Sequence, residues 1–146
     1  SALTGHLVFS TLHTNDAPSA VTRLMDLGVA PYLVSASLKG VLAQRLIRKI
    51  CPNCKSQYEP PASVKKALEA LGVNITTFYE GIGCNKCRNT GFSGRIAIHE
   101  LFAPDEEILT MINEKAAEKG MGSLLQDGFE KVESGIVSVE EILRFG

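Results

Sequence analysis

Four cysteines in two Cys-x-x-Cys pairs, Cys51-Pro52-Asn53-Cys54 and Cys84-Asn85-Lys86-Cys87, constrain this chain more than any other feature. They enclose a loop of 29 residues, and the 146-residue sequence holds no fifth cysteine. Each pair has turn-forming neighbours. Pro52 and Asn53 lie inside the first, and the second is preceded by Gly81-Ile82-Gly83 and followed by Asn89-Thr90-Gly91. Two such turns facing each other present four thiolates at tetrahedral angles, the arrangement a structural zinc ion prefers. The loop is longer than the usual spacing of roughly 15–20 residues between pairs, so a knuckle on an insertion is expected in place of a compact ribbon. Two disulfides, or a dithiol redox centre, are the other chemistries open to these residues. No secretory leader precedes them, so a reducing cytosol is the expected setting. Four sulfur ligands leave a metal no open position, which makes the expected role structural.

A chain of this length buries one core, with room for a small satellite. No apolar run reaches the ~18 residues needed to cross a bilayer. The richest stretch, 32–46, is interrupted by Lys39, Gln44 and Arg45. Charge is distributed unevenly. Residues 100–146 carry eleven acids against four Lys/Arg, whereas residues 1–99 carry five acids against eleven. That asymmetry favours docking between unlike faces and argues against nucleic acid as the main partner. The sequence opens without methionine, inside an apolar pattern, and reads as a piece of a larger protein.

Residues 6–12, His-Leu-Val-Phe-Ser-Thr-Leu, are apolar enough for a strand covered on both faces. Asn15 or Asp16 then caps a helix with Pro18 in its first turn and Ala17, Val21, Leu24 and Met25 on one face, ended by Gly28. Pro31 opens a second helix with Val34, Leu38, Val41 and Leu42 as its stripe. Strand, helix, helix is an α/β fragment. Residues 45–50 fit neither period. Within the cysteine loop, Pro60-Pro61 precedes a small helix over 63–71 using Val64, Leu68 and Leu71, capped by Gly72. Residues 95–102 form a strand expected to pair with the segment before Cys51. The remainder reads as helical: a helix from Pro104 with Leu109 and Ile112 inward, a break at Gly120 and Gly122, a helix over 123–133, and a capping box at Ser138-Val139-Glu140-Glu141.

Thr11 and His13 fall at the carboxyl end of the expected strand with a helix amino terminus beyond, a place suited to a phosphate. The same residues also read more plainly, Thr14, Asn15 and Asp16 as capping residues and His13 as a loop histidine. Along an extended strand His6 and His13 lie roughly 23 Å apart, too far to share one ion. His99 reads as a surface or edge histidine. Glycines 81, 83, 91 and 94 fit tight knuckle turns, and no Gly-x-x-x-x-Gly-Lys-[Ser/Thr] occurs. Arg45, Arg48, Lys49 and Lys55 read as a solvated basic face, since only Tyr58 is near enough to stack on a base.

The stretch Thr4-Gly5-His6-Leu7-Val8-Phe9-Ser10-Thr11-Leu12-His13-Thr14-Asn15 closely resembles the histidine box of the secretion ATPases, hexameric motors of type II secretion and type IV pilus assembly. The resemblance continues through Arg23-Leu24, Gln44-Arg45-Leu46, both cysteine pairs, the run from Thr90 to Arg95, Asp127-Gly128 and Glu140-Glu141-Ile142-Leu143. It implies the carboxyl-terminal part of a RecA-like ATPase domain over 1–50, a zinc-binding tetracysteine loop over 51–94 and a mostly helical subdomain over 95–146. It implies zinc on Cys51, Cys54, Cys84 and Cys87, with ATP and Mg²⁺ in the full-length protein. By the same resemblance His6 and His13 match the box histidines. His13 with Thr11 is placed to feel a γ-phosphate, and His6 supports structure or a neighbouring subunit. The implied partners are further subunits of a hexamer and inner-membrane platform proteins, with a cytoplasmic location at the inner membrane. Retraction motors of the superfamily lack the cysteine loop, which favours assembly or export. A free-standing zinc-binding interaction module and a dithiol oxidoreductase are the competing readings.

Overall fold

The computed structural model describes residues 2–14, 16–103 and 116–144. The chain divides into two compact units, Ser1–Gln44 with His99–Leu124, and Arg45–Ile98 with Leu125–Gly146.

In the first unit, α1 (Ala17–Asp26) begins where Asp16 accepts a hydrogen bond from the Ser19 N–H at 2.8 Å. Such a cap stabilises a helix by about 1 kcal/mol. Ala17, Ala20 and Val21 are buried at helical spacing, and Gly28, at φ +87°, closes the helix as its N–H donates to the Met25 carbonyl. Helix α2 (Pro31–Ser37) buries Val34. Its expected continuation does not form. Leu38 is already extended, and Val41 and Leu42 belong to a strand, β1 (Val41–Ile50). Burial along β1 alternates from Val41 to Arg48, but Leu42 and Leu46 point outward and the half-buried row includes Arg45. The hydrophobic pattern therefore does not follow the pleat, which is why 45–50 matched neither period.

The strand expected over 6–12 is also absent. Leu7 is 80% and Phe9 88% exposed, and among the described residues no strand lies beside this segment. A buried parallel strand exists only through its ladder partners, so apolar composition alone does not make one.

Strand β1 pairs with β4 (Phe92–Phe102), as expected for the segment before Cys51. Glu100 on β4 is 3% exposed, and its Oε2 has no hydrogen-bond partner among the described residues. Burial pushes its pKa from 4.5 up to about 7; the Ala17 N–H pulls it down and the Asp16 charge adds to the rise. An acid with a raised folded pKa costs nothing below its unfolded value and destabilises as pH climbs through the folded one. Thermal stability is therefore expected to fall between about pH 5 and pH 8. Glu100→Gln should flatten that profile and add on the order of 3 kcal/mol at the upper end. A flat profile in the unaltered chain contradicts this reading.

In the second unit, β2 (Lys55–Tyr58) and β3 (Phe78–Gly81) form an antiparallel hairpin with Lys55 opposite Gly81 and Tyr58 opposite Phe78. Between them lies α3 (Ala62–Ala70), which buries Leu68; Gly72 follows at φ +68°. Leu71, expected inside, is half exposed at the helix end. Helix α4 (Ala116–Glu133) contributes its residues from Leu125 onward to this unit and runs unbroken through Gly120 and Gly122. Each glycine costs roughly 0.5–1 kcal/mol in a helix, a penalty that 18 residues of helix absorb. The helix expected from Pro104 lies outside the described residues.

The last helix, α5 (Val139–Leu143), starts at Ser138 without the expected capping box. Glu141 turns away from the Ser138 backbone and accepts from Arg48 Nε at 2.9 Å, from Arg48 Nη2 and from Arg144 Nη1. A guanidinium fork offers stronger, charge-assisted bonds than one backbone N–H. The Arg48 hydrogen bond holds the buried Glu141 carboxyl below its usual range, and the Arg48 guanidinium also lies 4.0 Å over the Phe92 ring.

Candidate metal centre

Both cysteine pairs lie in the second unit at the base of the β2–β3 hairpin. Cys51 follows β1 and Cys54 immediately precedes β2. Cys84 precedes and Cys87 ends a short 3-10 turn, Asn85–Cys87, just after β3. The turns are locked by backbone bonds: Cys54 N–H to Cys51 O, Cys87 N–H to Cys84 O, and Ile82 N–H to Cys54 O. Gly83, Gly91 and Gly94 have φ between +74° and +95°, as knuckle turns require. Gly81 and Gly91 touch backbone to backbone, so that a Cβ on Gly81 would fall 2.7 Å from Gly91 C and Cα.

The four Sγ atoms lie within 4.8 Å of one another. Cys51–Cys84 is 3.9 Å, Cys54–Cys87 3.8 Å and Cys84–Cys87 3.7 Å. A regular tetrahedron with Zn–S bonds near 2.3 Å has edges of about 3.8 Å. The donor set fits zinc in identity, number and spacing. All four cysteines are free, and the near-equal separations single out no pair for a disulfide.

Donors that would steady thiolates surround the sulfurs. Cys87 Sγ accepts from the N–H groups of Cys84 (3.2 Å) and Gly91 (3.3 Å), and Cys84 Sγ from Asn53 Nδ2 (3.3 Å). Burial opposes ionisation at Cys87, yet these N–H groups outweigh it and bring the thiol down to about 6. Burial dominates at Cys54 and pushes it up to about 12. Four thiolates side by side, three of them buried and Cys84 partly so, would repel one another. A divalent cation is the neutralising charge such a cluster calls for.

Among the described residues, this is the group of three or more His, Cys, Asp or Glu side chains that could hold a metal. His6, Thr11 and His13 are not members of this group; they belong to an exposed segment of the first unit, where Thr4 Oγ1 bonds His6 Nδ1 at 3.0 Å. The basic face is not simply solvated. Arg48 is committed to Glu141 and Phe92, and Lys55 Nζ lies 4.2 Å from the centroid of the Tyr79 ring. The sequence reading missed the Arg48–Glu141 pair because 93 residues separate them and each belongs to a motif with its own local explanation.

The family model described as type II/IV secretion system protein matches residues 1–144. The chain belongs to this family. It is 45% identical over 99% of its length to the type II secretion system ATPase E of Vibrio cholerae, covering 30% of that protein. It is 46% identical over 98% of its length to the type IV pilus assembly ATPase PilB of Thermus thermophilus, covering 17% of that protein. The chain thus spans less than a third of the length of these relatives. No helix among the described residues is long and apolar enough to cross a membrane.

Proposed function

We propose that this chain is the carboxyl-terminal part of a hexameric, cytoplasmic ATPase that powers type II secretion or type IV pilus assembly, stapled by one structural zinc on Cys51, Cys54, Cys84 and Cys87. The observation carrying the proposal is the coincidence of four sulfurs gathered within 4.8 Å with likeness, along nearly the whole of this chain, to a type II secretion ATPase and a type IV pilus assembly ATPase. The zinc supplies no open position and no catalysis; it holds two knuckles together. In the full-length protein the reaction is phosphoryl transfer from Mg·ATP to water, driven by positioning and electrostatics. There Thr11 and His13 sit near the γ-phosphate and His6 supports the segment or a neighbouring subunit. Residues 6–12 become a strand when the rest of the domain lies beside them. The working partners are inner-membrane platform proteins of the secretion or pilus machine.

The sequence holds no phosphate-gripping loop. The purified chain is accordingly expected to hydrolyse no ATP above background. Phosphate release assayed with Mg·ATP, with and without EDTA, checks this: EDTA-sensitive turnover by the pure chain contradicts the reading.

A further inference from the structure

The residues next to the cysteines also grip the turn between α4 and α5. Ile50, immediately before Cys51, donates its N–H to the Ile136 carbonyl at 2.9 Å. Lys55, immediately after Cys54, stacks on Tyr79, and the two lie across Gly135: a Cβ there would fall 2.8 Å from Tyr79 Cδ2 and 2.9 Å from Lys55 Cε. Gly135 is at φ +65°, so both its conformation and its surroundings demand glycine. Further along β2, the Tyr58 hydroxyl donates to Glu140. The clasp therefore has three points: Ile136 and Gly135, reached by Ile50 and Lys55 beside the cysteines, and Glu140, held by Tyr58 at the far end of β2.

The hairpin that supplies two of these points has strands of four residues each. A two-stranded hairpin this short is marginal in water, so its persistence depends on whatever pins its base. Here the base is the sulfur cluster. We propose that metal occupancy at the four cysteines holds the 134–138 turn in place, so that loss of the ion releases the turn together with the hairpin. The Arg48–Glu141 pair, anchored on β1, keeps α5 attached, so the released part is the turn and not the whole carboxyl end. This rests on the reading of the cysteines as metal ligands. Coupling between two sites is reciprocal: if the ion holds the turn, the turn holds the ion by the same factor.

The experiment uses the full 146-residue chain, loaded with zinc and then exposed to a competing chromogenic chelator, with peptide-resolved hydrogen exchange before and after release. As zinc leaves, amides of 134–138 are expected to lose protection by roughly tenfold or more, alongside 51–94, while α1 is unchanged. Zinc release with 134–138 still protected overturns the coupling and leaves the metal reading intact. A chain that takes up no zinc overturns the metal reading itself. Tyr58→Phe and Glu140→Gln, which leave every thiol in place, are each expected to speed zinc transfer to the chelator about fivefold, the low end of coupling between sites. Unchanged transfer in both overturns the proposal.

Discussion

Replacing Cys54 by serine is expected to unfold residues 51–94 while α1 and α2 stay folded. Cys54 is buried, and its sulfur is 3.8 Å from that of Cys87. A hydroxyl cannot replace a thiolate in a zinc tetrahedron, and three remaining sulfurs bind far less tightly. Apparent zinc-binding energies of roughly 10–16 kcal/mol are typical where binding and folding are one process, so the loss exceeds anything the two four-residue strands recover. The knuckle cysteines form a buried cluster of their own, Cys51, Cys54 and Cys87 with Cys84 packed against them. Hydrogen exchange should show fast amides over 51–94 in the variant, with protection retained over Ala17–Asp26. Loss of protection throughout the chain would mean that the cysteine loop is integral to the whole fold.

The second large effect is expected from Gly81→Ala. The new methyl would meet Gly91 Cα and C at 2.7 Å and its carbonyl oxygen closer still. These are backbone atoms on both sides, so no side-chain rotation relieves the clash. The knuckles must separate or the hairpin must shift. Overpacking costs about 1–3 kcal/mol when side chains can yield, and a backbone clash lies at or above the top of that range. Because the contact joins the end of β3 to the turn after Cys87, the same variant should also lose zinc more readily. Gly72→Ala is the control. Nothing lies within 4 Å of its Cβ, so only the positive φ is penalised, at about 1 kcal/mol. Equal melting temperatures and equal zinc retention in the two variants would contradict the packing described for Gly81.

What the sequence made legible was what local chemistry alone decides. Cys51, Cys54, Cys84 and Cys87 converge as their spacing implied, and the Asp16 cap, Pro31 start and Gly28 stop of the first helices stand where they were read. What failed depends on distant partners. Val41 and Leu42 carry helix-like apolar spacing, yet β4 recruits them into a ladder. Residues 6–12 have strand composition but no strand partner among the described residues. Glu141 matched a capping box by position, and Arg48 outbid the backbone for its carboxylate. The hairpin strands, Lys55–Tyr58 and Phe78–Gly81, escaped notice because they are short, and the first is mostly polar. Their pairing follows from cysteines that bring their ends together, a constraint no periodicity expresses.

The zinc staple is tested most directly by X-ray absorption at the zinc K-edge on the purified chain, with metal content measured on the same sample. One zinc per chain, surrounded by four sulfurs at about 2.3 Å, is the expected result. A first shell containing nitrogen or oxygen, or cysteines found oxidised with no zinc bound, would contradict it.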